Sequence, residues 1–265
     1  MDDTITSNGL RLAAHFGRPN SPGRGPGVVL CHGFPRGPRG AAASAVTFPE
    51  LADRIARQVG WAALAVNLRG TGSSDGDYSA RGWLEDIKAA IDVLEVETTG
   101  VWLLGVAEGG TFAMTAAADD QRVRGVATLG APRSLGDVAK DAGRLHSYAR
   151  SIGMMDADRS PSDIGSWWRD TVAIDAVRVA ARVAPRPVMI VHGADDDDVP
   201  LADARAIVAA VGPSAELHVV AAGGHRLRHD PRAIATVLGW LEQQPVTVPP
   251  RGGTPRHDDP PMPAT

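Results

Sequence analysis

The chain has 265 residues, 43% of them apolar, which suits one α/β domain with a buried core. Its 31 acidic and 27 basic residues are interspersed and give a formal net charge of −4, a balance that argues against a nucleic-acid-binding surface. A single cysteine excludes an internal disulfide, no apolar run approaches the ~18 residues of a membrane span, and Met1-Asp2-Asp3 is acidic where a secretory signal is basic, so a soluble cytoplasmic protein with no membrane partner is expected.

Residues 4–16 alternate weakly around Asn8-Gly9, which reads as a hairpin turn between two short strands. A Pro/Gly-rich loop over Arg18 to Pro26 leads into Gly27-Val28-Val29-Leu30-Cys31, a short apolar run with the character of a buried strand. It ends in His32-Gly33-Phe34-Pro35, and the glycine- and proline-rich Arg36 to Ala43 is expected to be loop. Phe48 to Val59 has helical spacing through Leu51, Ile55 and Val59. Trp61 to Leu68 is the next strand, closed by the turn-rich Arg69 to Gly76, and Leu84 to Val96 is helical with Ile87, Ile91 and Leu94 on one face. Further strands are expected in the apolar run from Val101 into the glycine-flanked turn, and over Val123 to Gly130, Arg186 to Gly193 and Glu216 to Ala221. Strands alternating with helices at this spacing indicate an α/β fold: a mostly parallel central sheet with helices on both faces.

One interval breaks the rhythm. Between Pro132 and Arg186 lie more than fifty residues where a single helix would suffice, with the pair Trp167-Trp168 among them. They read either as extra packing helices or as a helical cap over a site, in which case Trp167 and Trp168 are candidate substrate-binding residues. The chain thus divides into a first core part, 1–132, a cap insertion, 133–185, a second core part, 186–244, and a tail, 245–265. The tail is proline-rich with few apolar groups, and disorder is expected there.

The stretch from Val101 to Met114 organises the rest. An apolar strand meets a sharp glycine-flanked turn, Gly105-Val106-Ala107-Glu108-Gly109, and a helical pattern follows at once. That is the layout of a nucleophile elbow, G-x-S-x-G, with glycines where backbones approach too closely for a side chain. The serine position is Ala107, and a methyl group cannot attack a carbonyl.

The succession resembles the α/β-hydrolase family over roughly residues 5–243. His32-Gly33-Phe34 looks like the family's oxyanion loop. Asn67 to Ser73 is similar to its D-x-R-G-x-G-x-S loop with asparagine in the first place. Gly105 to Gly109 is the elbow, His192 to Pro200 resembles H-G-x-x-D-x-x-V-P, and Gly223-Gly224-His225 looks like the terminal G-x-H loop. Five signatures in order imply the α/β-hydrolase fold and say less about chemistry.

The resemblance implies a triad of serine, acid and histidine in chain order. Its positions fall on Ala107, on Asp196 with Asp195 as second choice, and on His225. The backbone N–H groups of Phe34 and Glu108 are the implied oxyanion donors, and they survive any side-chain change. The Glu108 side chain is open to two readings: it orients water in the pocket, or it forms a polar wall or a salt bridge to the cap. Cys31 reads as inert strand packing, Thr111 as facing away, and Ser73 and Ser74 as structural. The four aspartates at 195–198 read as a hydrated loop carrying one triad acid. No metal and no cofactor is implied.

Three functions compete. The first is a serine-hydrolase scaffold for esters, thioesters or small amides that lacks its nucleophile at Ala107. The second is a non-catalytic pseudoenzyme that binds a small molecule. The third is His225-directed catalysis using water, without a covalent intermediate. A small-molecule substrate or ligand is the expected partner, and neither its identity nor the oligomeric state has a readable motif.

Overall fold

The structure is a computed structural model that describes residues 3–20, 24–36, 39–43, 45–156 and 158–245. Apart from Pro245, the tail expected to be disordered lies outside the described residues. Among the described residues eight strands form one sheet in the order β1-β2-β4-β3-β5-β6-β7-β8. The hairpin of β1 (Asp3–Ser7) and β2 (Leu10–Gly17) is antiparallel, and β2 also runs antiparallel to β4 (Ala62–Val66). Asn8 and Gly9 turn it with φ of 45° and 81°, the left-handed pair that matches strand twist. From β4 onward the pairings with β3 (Gly27–Cys31), β5 (Val101–Val106), β6 (Val123–Leu129), β7 (Val188–Gly193) and β8 (Ala215–Val220) are all parallel.

Strand alternation divides the core between the two faces. Val28, Leu30, Trp102 and Leu104 point to the side covered by α1 (Phe48–Gln58) and α8 (Pro231–Glu242). Val29, Cys31, Val101 and Leu103 point to the side covered by α2 (Ala80–Glu97) and α3 (Glu108–Asp119). Covering both faces is why β3 and β7 are buried along their whole length and read as apolar runs.

The long interval holds α4 (Ala142–Ser151), α5 (Ile164–Val172) and α6 (Ala176–Val183), each entered through an aspartate whose carboxylate accepts from a backbone N–H three residues on: Asp141, Asp163 and Asp175. Their positions are not equivalent. Helix α6 packs against α3 and against α7 (Leu201–Val211) and buries Val179, Ala180 and Val183 in the sheet-side core. Within 133–185, α4 and α5 are the pair set beyond it, with α5 against α2.

Helix α2 starts at Ala80, one turn before the sequence pattern suggests, capped by Ser79 Oγ on Gly82 N (3.1 Å). The Arg36 to Ala43 stretch, expected as loop, contains a short 3-10 turn at Gly40–Ala43. Among the described residues no helix is long and apolar enough to cross a membrane.

Candidate active site

The elbow forms where its glycines require it. A Cβ on Gly105 would collide with Gly109 O and Gly110 Cα, and one on Gly109 with the carbonyls of Cys31 and His32. Helix α3 is thereby pressed onto the ends of β3 and β5. Between the glycines Ala107 has φ 50° and ψ −129°, and its N–H donates to Leu129 O at 2.8 Å. This strained conformation costs a non-glycine residue about 1 to 3 kcal/mol. It belongs to an elbow that holds out a reactive side chain, and here it holds out a methyl group.

His225 lies beside the same strand ends. A Cβ on Gly130, next to Leu129, would be 3.6 Å from His225 Nδ1 and 3.6 Å from Asp196 Oδ2. His225 Nδ1 is 2.9 Å from Asp196 Oδ2, so that nitrogen carries the donated proton and Nε2 is the basic one. The other carboxylate oxygen, Asp196 Oδ1, accepts from Val199 N (2.8 Å) and Asp198 N (3.0 Å). Burial alone would raise the Asp196 pKa, but the bonds from His225 and the two amides outweigh it and hold the carboxyl below its ordinary value. Of the two candidate acids, Asp196 makes this bond, and Asp195 is exposed on the loop.

The oxyanion loop is arranged differently from the resemblance's implication. Phe34 N–H, the first implied donor, donates to Glu108 Oε2 at 3.0 Å. The other oxygen, Oε1, accepts from Arg36 Nη2 at 2.8 Å, and Arg36 Nη1 reaches Asp198 Oδ2 at 2.7 Å. The Glu108 side chain is 1% exposed, whereas Arg36 is 41% exposed. A Cβ on Gly33 would lie 2.5 Å from Glu108 Oε2 and 3.0 Å from Ala107 Cβ, which puts the carboxylate close to Ala107. Burial disfavours the Arg36 cation, yet the charges of Glu108 and Asp198 reverse this and raise its pKa. Of the two readings for Glu108, a salt bridge forms, but its partner is on the oxyanion loop and not on the cap.

Packing fixes that loop from behind. The Phe34 ring meets Tyr78 and Trp83 edge-on at 5.2 and 5.4 Å, and Tyr148 on α4 donates its hydroxyl to Pro35 O at 2.9 Å. Trp167 is buried against Tyr78 and donates to its carbonyl at 3.0 Å, and Trp168 donates to Ala139 O at 2.6 Å. Both indole N–H groups are thus committed to the protein's own backbone.

Three of the other side chains weighed as nucleophiles, Cys31, Thr111 and Ser74, are occupied or inert. Burial pushes the Cys31 thiol up to about 12, so thiolate is scarce near neutral pH. Thr111 Oγ1 donates to Pro132 O (2.6 Å), and Ser74 Oγ donates to Asn67 O (2.6 Å). Among the described residues no group of three or more His, Cys, Asp or Glu is placed to hold a metal ion. Sequence reasoning gave Arg36 and Tyr148 no role, and their only signal was a charged and a phenolic side chain in segments without a motif.

The strand order, the elbow between β5 and α3, and a histidine–aspartate pair at the ends of the last strands define an α/β-hydrolase fold. The family model described as alpha/beta hydrolase fold matches residues 26–151. The chain has the α/β-hydrolase fold, and the stretch matched by the family model runs from β3 through α4.

Several solved structures share the fold at low identity. Est1E from Butyrivibrio proteoclasticus, with ferulic acid bound, is 22% identical, with a TM-score of 0.67 over 91% of this chain and 96% of that one. The α/β hydrolase GrgF from Penicillium is 18% identical, with a TM-score of 0.69 over 91% and 97%. A serine-to-alanine mutant of a meta-cleavage product hydrolase from Pseudomonas fluorescens, complexed with acetates, is 20% identical, with a TM-score of 0.63 over 91% and 97%. Comparison with curated protein sequences gave no match.

Proposed function

We propose that this chain is a non-hydrolytic α/β-hydrolase-fold protein, built on the frame of a serine hydrolase of esters, thioesters or small amides, whose site binds a small molecule without acyl transfer. The observation that carries this reading is the Glu108 carboxylate on Phe34 N–H at 3.0 Å. Acyl transfer needs an attacking oxygen and a donor pocket for the negative charge that develops on the carbonyl oxygen. Ala107 removes the first requirement. Glu108 sets a negative charge where the second should act, and two like charges ~4 Å apart near a protein surface repel by about 4 kcal/mol before Arg36 offsets part of it. Loss of a serine alone leaves a hydrolase one atom short. Loss of the serine together with a filled oxyanion position leaves a site of another character. Two relatives in fold, Est1E and the meta-cleavage product hydrolase, hold small molecules, which supports a small-molecule ligand here.

The test is turnover of p-nitrophenyl acetate and butyrate by three proteins: the unaltered chain, Ala107→Ser, and Ala107→Ser with Glu108→Met. The reading expects the unaltered chain to be silent and the double variant to exceed Ala107→Ser. Ala107→Ser reaching the rate of the double variant would sink the claim that Glu108 closes the site.

A second reading has one observation in its favour. The His225–Asp196 pair is a complete base with its tautomer fixed, a device that a pure binding protein does not need. In that reading His225 activates water or removes a proton with no covalent intermediate, and the unaltered chain shows turnover that disappears in His225→Ala.

A further inference from the structure

The hydrogen-bonding polarity of the site is reversed. Where an acyl-transfer site offers N–H donors to a ligand oxygen, this one offers the buried carboxylate of Glu108, whose Oε2 lies near Ala107 across Gly33 and accepts from Phe34 N–H, and whose Oε1 faces Arg36. Phe34 N–H holds the neighbouring oxygen and fixes the direction in which Oε1 points. The group now seated on Oε1 is a guanidinium from the chain itself, at 2.8 Å, on a residue 41% exposed whose second contact is the 54%-exposed Asp198. Resting on the non-hydrolytic reading above, we propose that the ligand of this site is a small organic cation, a primary ammonium or an amidinium, that donates to Glu108 Oε1 in place of Arg36.

Three features favour a cation over an acid or a neutral carbonyl compound. Glu108 is 1% exposed, and a buried carboxylate left without a positive partner is costly, so whatever displaces Arg36 must itself bring positive charge. Local charge has the same sign of preference. Asp196 lies under His225 and Asp198 beside Arg36, with Asp195 and Asp197 exposed on the same loop, so an approaching anion is repelled and a cation attracted. Finally, Ala107, near the Glu108 carboxylate across Gly33, has no side-chain oxygen to compete for the incoming N–H groups. Arg36 then acts as an internal competitor that keeps Glu108 paired when the site is empty of ligand.

The experiment is calorimetric titration of the full chain at pH 7 and fixed ionic strength with benzylamine and benzamidine as cations, benzyl alcohol as the neutral probe and benzoate as the anion. The unaltered chain is expected to bind the cations at least about tenfold more tightly than benzyl alcohol or benzoate. Glu108→Gln, which keeps the size of the side chain, is expected to lose that preference, and Arg36→Ala to bind the cations about tenfold more tightly than the unaltered chain. If Arg36→Ala does not fold, the comparison of the unaltered chain with Glu108→Gln decides alone. Cation binding indifferent to Glu108→Gln, or benzoate binding more tightly than benzylamine, overturns the inference. Ester turnover by the unaltered chain overturns the non-hydrolytic reading and this inference with it, whereas ester silence combined with a preference for benzoate overturns this inference alone.

Discussion

Phe34 and Glu108 are 74 positions apart, and the backbone N–H of one donates to the carboxylate of the other at 3.0 Å, across the place where a hydrolase would stabilise its oxyanion. In the proposed reading the serine position and the oxyanion position are altered together, so that restoring one does not restore the other. Loss of one oxyanion donor costs an acyl-transfer enzyme roughly 10² to 10³ in kcat. Ala107→Ser with Glu108→Met is accordingly expected to turn over p-nitrophenyl esters at least about 100-fold faster than Ala107→Ser, read as steady-state nitrophenolate release. Equal rates would mean that Glu108 moves aside at no cost.

Ala107 keeps the elbow's backbone without the side chain that justifies it. Its φ of 50° with ψ of −129° carries a strain of about 1 to 3 kcal/mol, which glycine would relieve, at an entropic cost of about 0.5 to 1 kcal/mol in the unfolded chain. Ala107→Gly is expected to stabilise the protein by about 1 kcal/mol, seen as a higher urea midpoint at unchanged slope. A lower midpoint would show that the methyl packs too well to lose.

Much of this arrangement was legible before the fold. Gly105 and Gly109 could be read because the steric demand behind them is local, and the Asn8-Gly9 turn could be read for the same reason. The pairing of His225 with Asp196 was implied by the resemblance of their two loops to those of the α/β-hydrolase family. Glu108 with Arg36 was not legible: they are 72 positions apart and meet only because the loop after β3 folds over the start of α3. The start of α2 was missed because Gly82 interrupts the helical pattern. A Cβ there would lie 2.6 Å from Arg69 Cδ, so that glycine serves a tertiary contact and not the helix. Helix α6 was grouped with the insertion because no motif separates it from α5, and only its packing on α3 and α7 makes it a sheet-covering helix.

The loop that begins at Asn67 depends on one buried pair. Asp86 on α2 is fully buried and accepts from Arg69 N at 2.8 Å and Arg69 Nη2 at 2.7 Å, which fixes the turn after β4 to the helix below it. Asp86→Ala would leave a guanidinium 12% exposed without its main partner, although half-exposed Glu85 at 3.2 Å compensates in part. Removing one member of a buried pair costs about 3 to 5 kcal/mol. With Glu85 still present, Asp86→Ala is expected to lose about 3 kcal/mol in urea unfolding, and Asp86→Asn less. A loss under about 1 kcal/mol would mean that the turn does not depend on this pair.

Stability is also expected to fall in mild acid, because of His32. Its ring is 2% exposed; Nδ1 is 2.8 Å from Gly33 O, and Nε2 accepts Leu68 N–H at 3.0 Å, so the neutral ring uses both nitrogens. Burial pushes its pKa from 6.5 down to about 4, despite the opposing bond to Gly33 O. Between those two values the unfolded chain holds a proton that the folded chain does not, so the contribution is complete above 6.5 and is lost as pH falls toward 4. At about 1.4 kcal/mol per pH unit, the loss between pH 7 and pH 4.5 is about 2 to 3 kcal/mol. The Asp196 carboxyl, whose pKa lies below its ordinary 3.8, adds its own loss only in stronger acid. Urea unfolding at the two pH values should show a fall that is smaller by about this amount in His32→Gln, and an equal fall in both proteins would remove His32 as its source.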